Sequence, residues 1–172
     1  ADVAFHCAGK AGDGNAAGYT EATGRFARAC ALAGLRRVVY LGTVAVYGPH
    51  RSGDIGVDAP LAGRGAYAAS RIAAEIALTE ALAGTQTRWS LVRVPMLLGR
   101  GMPGTALARL RSLLRFGIFP HPGPEDATLA CLGVHRLAAL LLRLPEDGNA
   151  TLQFSDHLRW TDIAGRMAAA RG

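Results

Sequence analysis

Tyr67 and Arg71 stand four residues apart in the segment Tyr67-Ala68-Ala69-Ser70-Arg71. On a helix that spacing puts both side chains on one face. A phenol is a poor acid at its ordinary pKa of about 10. A neighbouring cation favours the phenolate and brings the group toward use as a general acid or base. The chemistry open to the pair is proton transfer to and from an oxygen. Upstream, Thr43-Val44-Ala45-Val46-Tyr47-Gly48 opens on a second hydroxyl. The competing reading is an ordinary aromatic and an ordinary arginine on a surface helix.

Other candidates are less specific. Arg93 suits either a diphosphate contact or the capping of a strand end. Arg109 and Arg115 suit solvated helix positions or anion ligands. Tyr47 fits packing as well as substrate contact. His121 lies between prolines with no visible partner for acid–base work. His6 and Cys7 are adjacent on an expected strand and so point to opposite faces. No His/Cys cluster has metal-ligand spacing, and no metal site is expected. Cys7, Cys30 and Cys131 form an odd, scattered set, which suits reduced thiols in a cytosolic protein. The apolar surroundings of Cys7 and Cys30 predict buried packing roles.

The elements that must position these residues follow from hydrophobic pattern and turn chemistry. Strands are predicted over Asp2–Ala8, Arg37–Leu41, Trp89–Val94 and Thr151–Phe154. Helices are predicted over Thr20–Ala33, Tyr67–Ala83, Thr105–Arg115, Val134–Leu144 and Trp160–Ala170. Loops are expected over Lys10–Gly18, Gly42–Arg64 and Leu97–Gly104, with a turn over Pro120–Pro124. Gly34 is the expected stop of the first helix. Strand and helix alternate over the first 95 residues, the pattern of a parallel sheet covered by helices.

One glycine-rich segment invites a dinucleotide reading. Gly12-Asp13-Gly14-Asn15-Ala16-Ala17 follows a strand, precedes a helix and satisfies the loose form G-x-G-x-x-[GA]. Asp13 would place a carboxylate beside the phosphates. The next strand ends in Gly42-Thr43 and not in the acid that should hold a ribose. The segment therefore reads as a plain loop after an inner strand.

Composition narrows the classes. With 172 residues, half of them hydrophobic, the chain can bury a real core. No apolar run approaches the roughly 20 residues of a membrane span, and no signal peptide is visible. A cytoplasmic location is the expectation. The net charge of +6 comes almost wholly from arginine, Lys10 being the only lysine. The arginines are scattered, with no run beyond Arg36-Arg37, so nucleic acid is not the expected partner. An anionic small molecule such as a nucleotide diphosphate fits the charge equally well.

Taken in order, the motifs resemble those of the extended short-chain dehydrogenase/reductases, the NAD-dependent epimerase/dehydratase family. Ala1 to Gly9 resembles the family's fourth strand, D-V-V-x-H-x-A-[AG]. Arg36 to Gly48 resembles the fifth strand and the S-S-x-x-V-Y-G motif, with Thr43 on the Ser/Thr position. Tyr67 to Glu75, Y-A-A-S-R-I-A-A-E, resembles Y-x-x-S-K-x-x-A-E. Leu91-Val92-Arg93-Val94-Pro95 resembles the L-R-P segment. Ser112 to Pro124 and Thr151 to Gly172 resemble, less specifically, a basic helix and turn of the sugar pocket and the closing strand and helix. There are departures. Arg71 replaces the family's lysine, Tyr19 stands where an Asn is often found in N-V-x-G-T, and His135-Arg136 stands where many members have Asp-Asp. The phosphate-binding glycine turn would belong upstream of Asp2. That amounts to two strand–helix units, roughly 60 residues at about 30 per unit.

The resemblance implies an α/β fold: part of a Rossmann-like doubly wound parallel sheet, with a small C-terminal α/β substrate-binding part. Residues 1–103 would belong to the NAD(P)-binding domain and 104–172 to the substrate region. It implies a nucleotide-sugar epimerase, dehydratase or 4-ketoreductase using NAD or NADP. Thr43, Tyr67 and Arg71 would be catalytic, with Thr43 donating to the oxygen that Tyr67 protonates. Cys7, Ala8, Gly9, Leu41, Gly42, Tyr67, Arg71 and Pro95 would line the cofactor. Thr43, Val44, Arg93 and Arg109 would meet a nucleotide-diphosphate sugar. A homodimer through the helix carrying Tyr67 fits the family. Because arginine is bulkier and planar, its exchange for lysine is not conservative, and activity is expected to be weak or absent. The alternatives are a catalytically inactive binding or scaffold relative and a polyanion binder. Reductases of steroids or flavonoids form a narrower option.

Overall fold

The computed structural model describes residues 2–9, 16–49, 55–99, 113, 116, 118, 127–145 and 147–169. Two compact units divide the chain: Ala1–Pro95 with Arg143–Phe154, and Met96–Leu142 with Ser155–Gly172. The fold is α/β and partially Rossmann-like.

In the first unit β1 (Val3–His6), α1 (Ala16–Leu32), β2 (Arg37–Thr43), α2 (Gly65–Leu82), β3 (Arg88–Val94) and β6 (Ala150–Gln153) alternate along the chain. Their four strands form one sheet in the order β1-β2-β3-β6. Every pairing is parallel, with His6 opposite Tyr40, Tyr40 opposite Leu91, and Leu91 opposite Thr151. A parallel strand covered on both faces needs a nearly continuous apolar run. Val38-Val39-Tyr40 supplies it and is fully buried. Ala27 and Cys30 of α1, Ala74, Leu78 and Leu82 of α2, and Val38, Tyr40 and Leu91 of the sheet share one core. The helices touch through small residues. A methyl group added at Gly24 would lie 3.6 Å from the Ala77 methyl.

Gly34 ends α1 as expected. Its φ is +68° and the Leu35 N–H reaches back to the Cys30 carbonyl, a left-handed helix stop. Several details differ from expectation. The first helix begins at Ala16, so residues 16–18 are helical and not loop. The long loop after β2 opens with a 3-10 turn, Val44–Tyr47. Cys7, expected to be buried, is exposed, because β1 ends at His6 and the chain leaves the sheet there; Cys30 is buried. All three thiols are free.

In the second unit β4 (Met96–Leu98) pairs parallel with β5 (Thr128–Gly133), which pairs antiparallel with β7 (Asp156–Arg159). Helices α3 (Val134–Leu141) and α4 (Trp160–Ala169) belong to the same unit. Among its described residues, Cys131, Leu132, Leu137 and Ile163 are the buried hydrophobic ones. The start of the expected loop over Leu97–Gly104 is strand, and β5 and β7 were not expected at all. These strands are short and owe their existence to partners distant in sequence. The expected helix over Thr105–Arg115 and the turn over Pro120–Pro124 fall largely or wholly outside the described residues, as does the glycine segment through Asn15.

Candidate active site

Parallel strands deliver their carboxyl ends to one edge, where connecting loops carry chemistry. Here β1 leads into Cys7-Ala8-Gly9, β2 ends at Thr43, and β3 leads into Pro95. Helix α2 brings Tyr67 in its first turn and Arg71 one turn later.

The expected pair is real in space. The Arg71 guanidinium carbon lies 5.0 Å from the centre of the Tyr67 ring and 4.0 Å from that of Tyr19. Tyr67 is 36% exposed, and its hydroxyl has no hydrogen-bond partner among the described residues. Arg71 is only 6% exposed, and its Nε has no partner. No carboxylate pairs with it among the described residues. Its charge rests on aromatic faces instead, each contact contributing about 0.5–2 kcal/mol depending on desolvation.

Behind the guanidinium runs a chain of hydroxyls. The Tyr40 hydroxyl lies within electrostatic reach of Arg71. That oxygen is 3.1 Å from the Tyr19 hydroxyl, which donates to the Ala8 carbonyl at 3.2 Å. The Tyr19 hydroxyl thus faces two oxygens, the Ala8 carbonyl and the Tyr40 hydroxyl. Burial depresses the Arg71 pKa, but the Tyr19, Tyr40 and Tyr67 oxygens outweigh it and the net direction is upward. Burial, and then Tyr19, push the Tyr40 phenol far up, so it stays a neutral donor. Gly9, at φ +112°, is required beside them. A Cβ there would fall 2.6 Å from both Arg71 terminal nitrogens and from the Tyr19 ring. His6 lies against the same group, its ring 5.5 Å from that of Tyr40 and 4.8 Å, edge-on, from Phe26. Burial holds its pKa below the usual value, and the Arg71 charge adds to that lowering.

A second buried guanidinium is handled differently. Arg93 donates from Nε and Nη2 to the two oxygens of Glu75, at 3.1 and 2.7 Å. Its Nη1 donates to the Tyr47 hydroxyl and the Val57 carbonyl at 2.9 and 3.0 Å. Here Arg93 ties β3 to α2 and to the loop after β2, and Tyr47 is a buried member of the same network. Gly42 leaves room for Glu75, whose Oε1 would be 3.0 Å from an added Cβ.

The Thr43 Oγ1 accepts from the Ala45 N–H at 3.2 Å and so caps the 3-10 turn that Val44 begins. No hydrogen bond joins Thr43 to Tyr67. Ala8 and Gly9 are exposed, Leu41 and Val44 half-buried, and Gly42 and Pro95 buried. Arg109 lies outside the described residues. Among the described residues no group of His, Cys, Asp or Glu could hold a metal. Tyr19, Tyr40 and Glu75 were not singled out as site residues from sequence. The signals were Tyr19's departure from the asparagine expected there and Glu75's place at the end of Y-x-x-S-K-x-x-A-E.

A parallel sheet with a phenol–cation pair at its carboxyl edge defines a partially Rossmann-like fold. The model of the NAD dependent epimerase/dehydratase family matches residues 1–115, more than half of the chain, which therefore belongs to that family. No curated protein matches it. Solved structures share its fold. MoeE5 in complex with UDP-glucuronic acid and NAD has a TM-score of 0.80 at 22% identity, covering 98% of this chain and 62% of that one. UDP-N-acetylglucosamine 4-epimerase from Methanobrevibacter ruminantium M1, in complex with UDP-N-acetylmuramic acid, gives 0.81 at 17%, covering 99% and 61%. UDP-glucuronic acid 4-epimerase from Bacillus cereus, in complex with NAD, gives 0.78 at 20%, covering 99% and 60%. The chain thus spans about six-tenths of the length of these structures.

Proposed function

We propose that the chain forms the nicotinamide- and sugar-facing portion of an NAD(P)-dependent nucleotide-sugar epimerase, dehydratase or 4-ketoreductase. The carrying observation is Tyr67: an exposed phenol, its hydroxyl without a hydrogen-bond partner among the described residues, beside a buried cation at the carboxyl edge of a parallel sheet. The residues suit a dinucleotide. Arg71 keeps an unused Nε–H, and Gly9 presents bare backbone beside it. When bound, the dinucleotide supplies hydride acceptance and return. Cys7, Ala8, Gly9, Leu41, Gly42 and Pro95 line its place, and Arg71 binds it from α2. Tyr67 moves the proton at the sugar oxygen, and the Arg71 charge stabilises the phenolate that results. Thr43, whose oxygen accepts from the Ala45 N–H, donates its own proton to the same sugar oxygen. Val44 faces the sugar diphosphate. Arg93 holds Tyr47 and the loop behind it. In this reading residues 1–103 serve the dinucleotide and 104–172 the substrate. The protein works in the cytoplasm as a homodimer through α2, where Ile76 is exposed.

Full-length protein supplied with NAD or NADP and a panel of UDP- and dTDP-sugars tests the reading. Tyr67→Phe should lower turnover at least about 100-fold, as loss of a general acid–base does. Equal turnover in the variant would remove Tyr67 from the chemistry. One observation favours a second reading, a non-catalytic relative: Arg71, in the lysine's place, is engaged by two aromatic rings. Dinucleotide binding without turnover of any sugar would select it.

A further inference from the structure

The two buried arginines of the site differ in what holds them. Arg93 is fixed by a carboxylate, whereas Arg71 has none among the described residues. What holds Arg71 is Tyr19, whose ring lies 4.0 Å beneath the guanidinium. The Tyr19 ring is in turn fixed at its far end, where its hydroxyl bonds to the Ala8 carbonyl and lies 3.1 Å from that of Tyr40. Gly9 leaves the space that the stacked pair fills. Three elements therefore converge on one plane: α1 through Tyr19, the end of β1 through Ala8 and Gly9, and α2 through Arg71. A planar guanidinium can lie flat on such a ring. A lysine ammonium is a rounder, more strongly hydrated charge on a flexible stem, and the same ring fixes it poorly.

We propose that Tyr19 is a positioning residue for Arg71, and that the two work as one unit in place of a lysine. Tyr19 sets the guanidinium against the Tyr67 ring, so residues 19 and 71 are functionally matched. The kinetic part of this inference rests on the function proposed above; the structural part does not.

The test uses the full-length protein with Tyr19→Asn, Tyr19→Phe, Arg71→Lys, and the double variant Tyr19→Asn/Arg71→Lys. Without dinucleotide, NMR reads the Arg71 side-chain protons, which ring currents shift upfield. The shift should fall sharply in Tyr19→Asn and largely return in Tyr19→Phe, which keeps the ring. With dinucleotide and sugar, Tyr19→Asn should lower kcat roughly tenfold with little change in KM, an amount a desolvated cation–π contact can supply. Tyr19→Phe should recover most of that loss. Arg71→Lys should lower kcat when Tyr19 is present and raise it in the Tyr19→Asn background. Equal effects of Arg71→Lys in both backgrounds would overturn the matching, as would Arg71 resonances that ignore Tyr19→Asn. Thermal midpoints of all variants identify any that fail to fold; Tyr19→Phe and its NMR spectrum then decide alone. If no variant turns over any sugar, the NMR result still decides the stack, and it is the enzymatic reading that fails.

Discussion

At the scale of single residues, the site is built on unequal treatment of buried polar groups. His6 has its Nε2 3.5 Å from the Thr23 hydroxyl, while its Nδ1 has no partner. Burial favours the neutral ring, so its folded pKa lies below the unfolded value of 6.5. The sign follows from proton counting. As pH falls below about 6.5 the unfolded chain takes up a proton that folded His6 still refuses, and stability declines. Above that value His6 is neutral in both states and adds no slope. Urea midpoints should therefore drop between pH about 7 and about 5, and His6→Gln should flatten that drop. An unchanged slope in the variant would mean that His6 is not the group responsible. Thr43 shows another residue-scale choice. Its oxygen already accepts from the backbone as a cap, which leaves its own proton as the group it can offer a substrate.

At the scale of elements, α2 carries the site by spacing alone. Tyr67, Arg71 and Glu75 recur every four residues, so all three fall along one face. The first two meet at the exposed end, and the third is driven inward to pair with Arg93 of β3. A buried, bidentate pair is costly to break because one charge is then left alone. Glu75→Gln should lower unfolding free energy by about 3–5 kcal/mol. The double variant Glu75→Leu/Arg93→Met should lose clearly less. Chemical denaturation of the set checks both, and equal losses in single and double variants would show that packing, not charge, sets the cost. The other elements of the first unit follow from simple rules. The strand β2 forms because β-branched and aromatic residues fill a two-sided site, and α1 stops because Gly34 accepts a positive φ.

At the scale of the whole molecule, the excess of arginine has specific uses. Arg37 donates to Ser90 at 2.6 Å, Arg136 pairs with Asp156 at 2.7 Å, and Arg71 and Arg93 are buried. A net charge of +6 is thus not by itself a polyanion surface. Binding of a duplex oligonucleotide across a salt series should be weak and should vanish by physiological salt. A steep salt dependence from tight binding would restore the polyanion reading through counterion release. No described helix is long and apolar enough to cross a membrane.

The sequence by itself determined the alternation of strands and helices over the first 95 residues, the helix stop at Gly34, and Tyr67 with Arg71 on one helical face. These rest on periodicity and turn chemistry, which are local and therefore legible in order along the chain. Only the tertiary structure decided what lies against that face. Tyr19 meets Arg71 because α1 and α2 pack together, Glu75 finds Arg93 across the sheet, and β5 and β7 exist because they pair. No window of neighbouring residues encodes those meetings. They arise when apolar burial brings distant segments together, and the polar groups trapped there take the partners within reach.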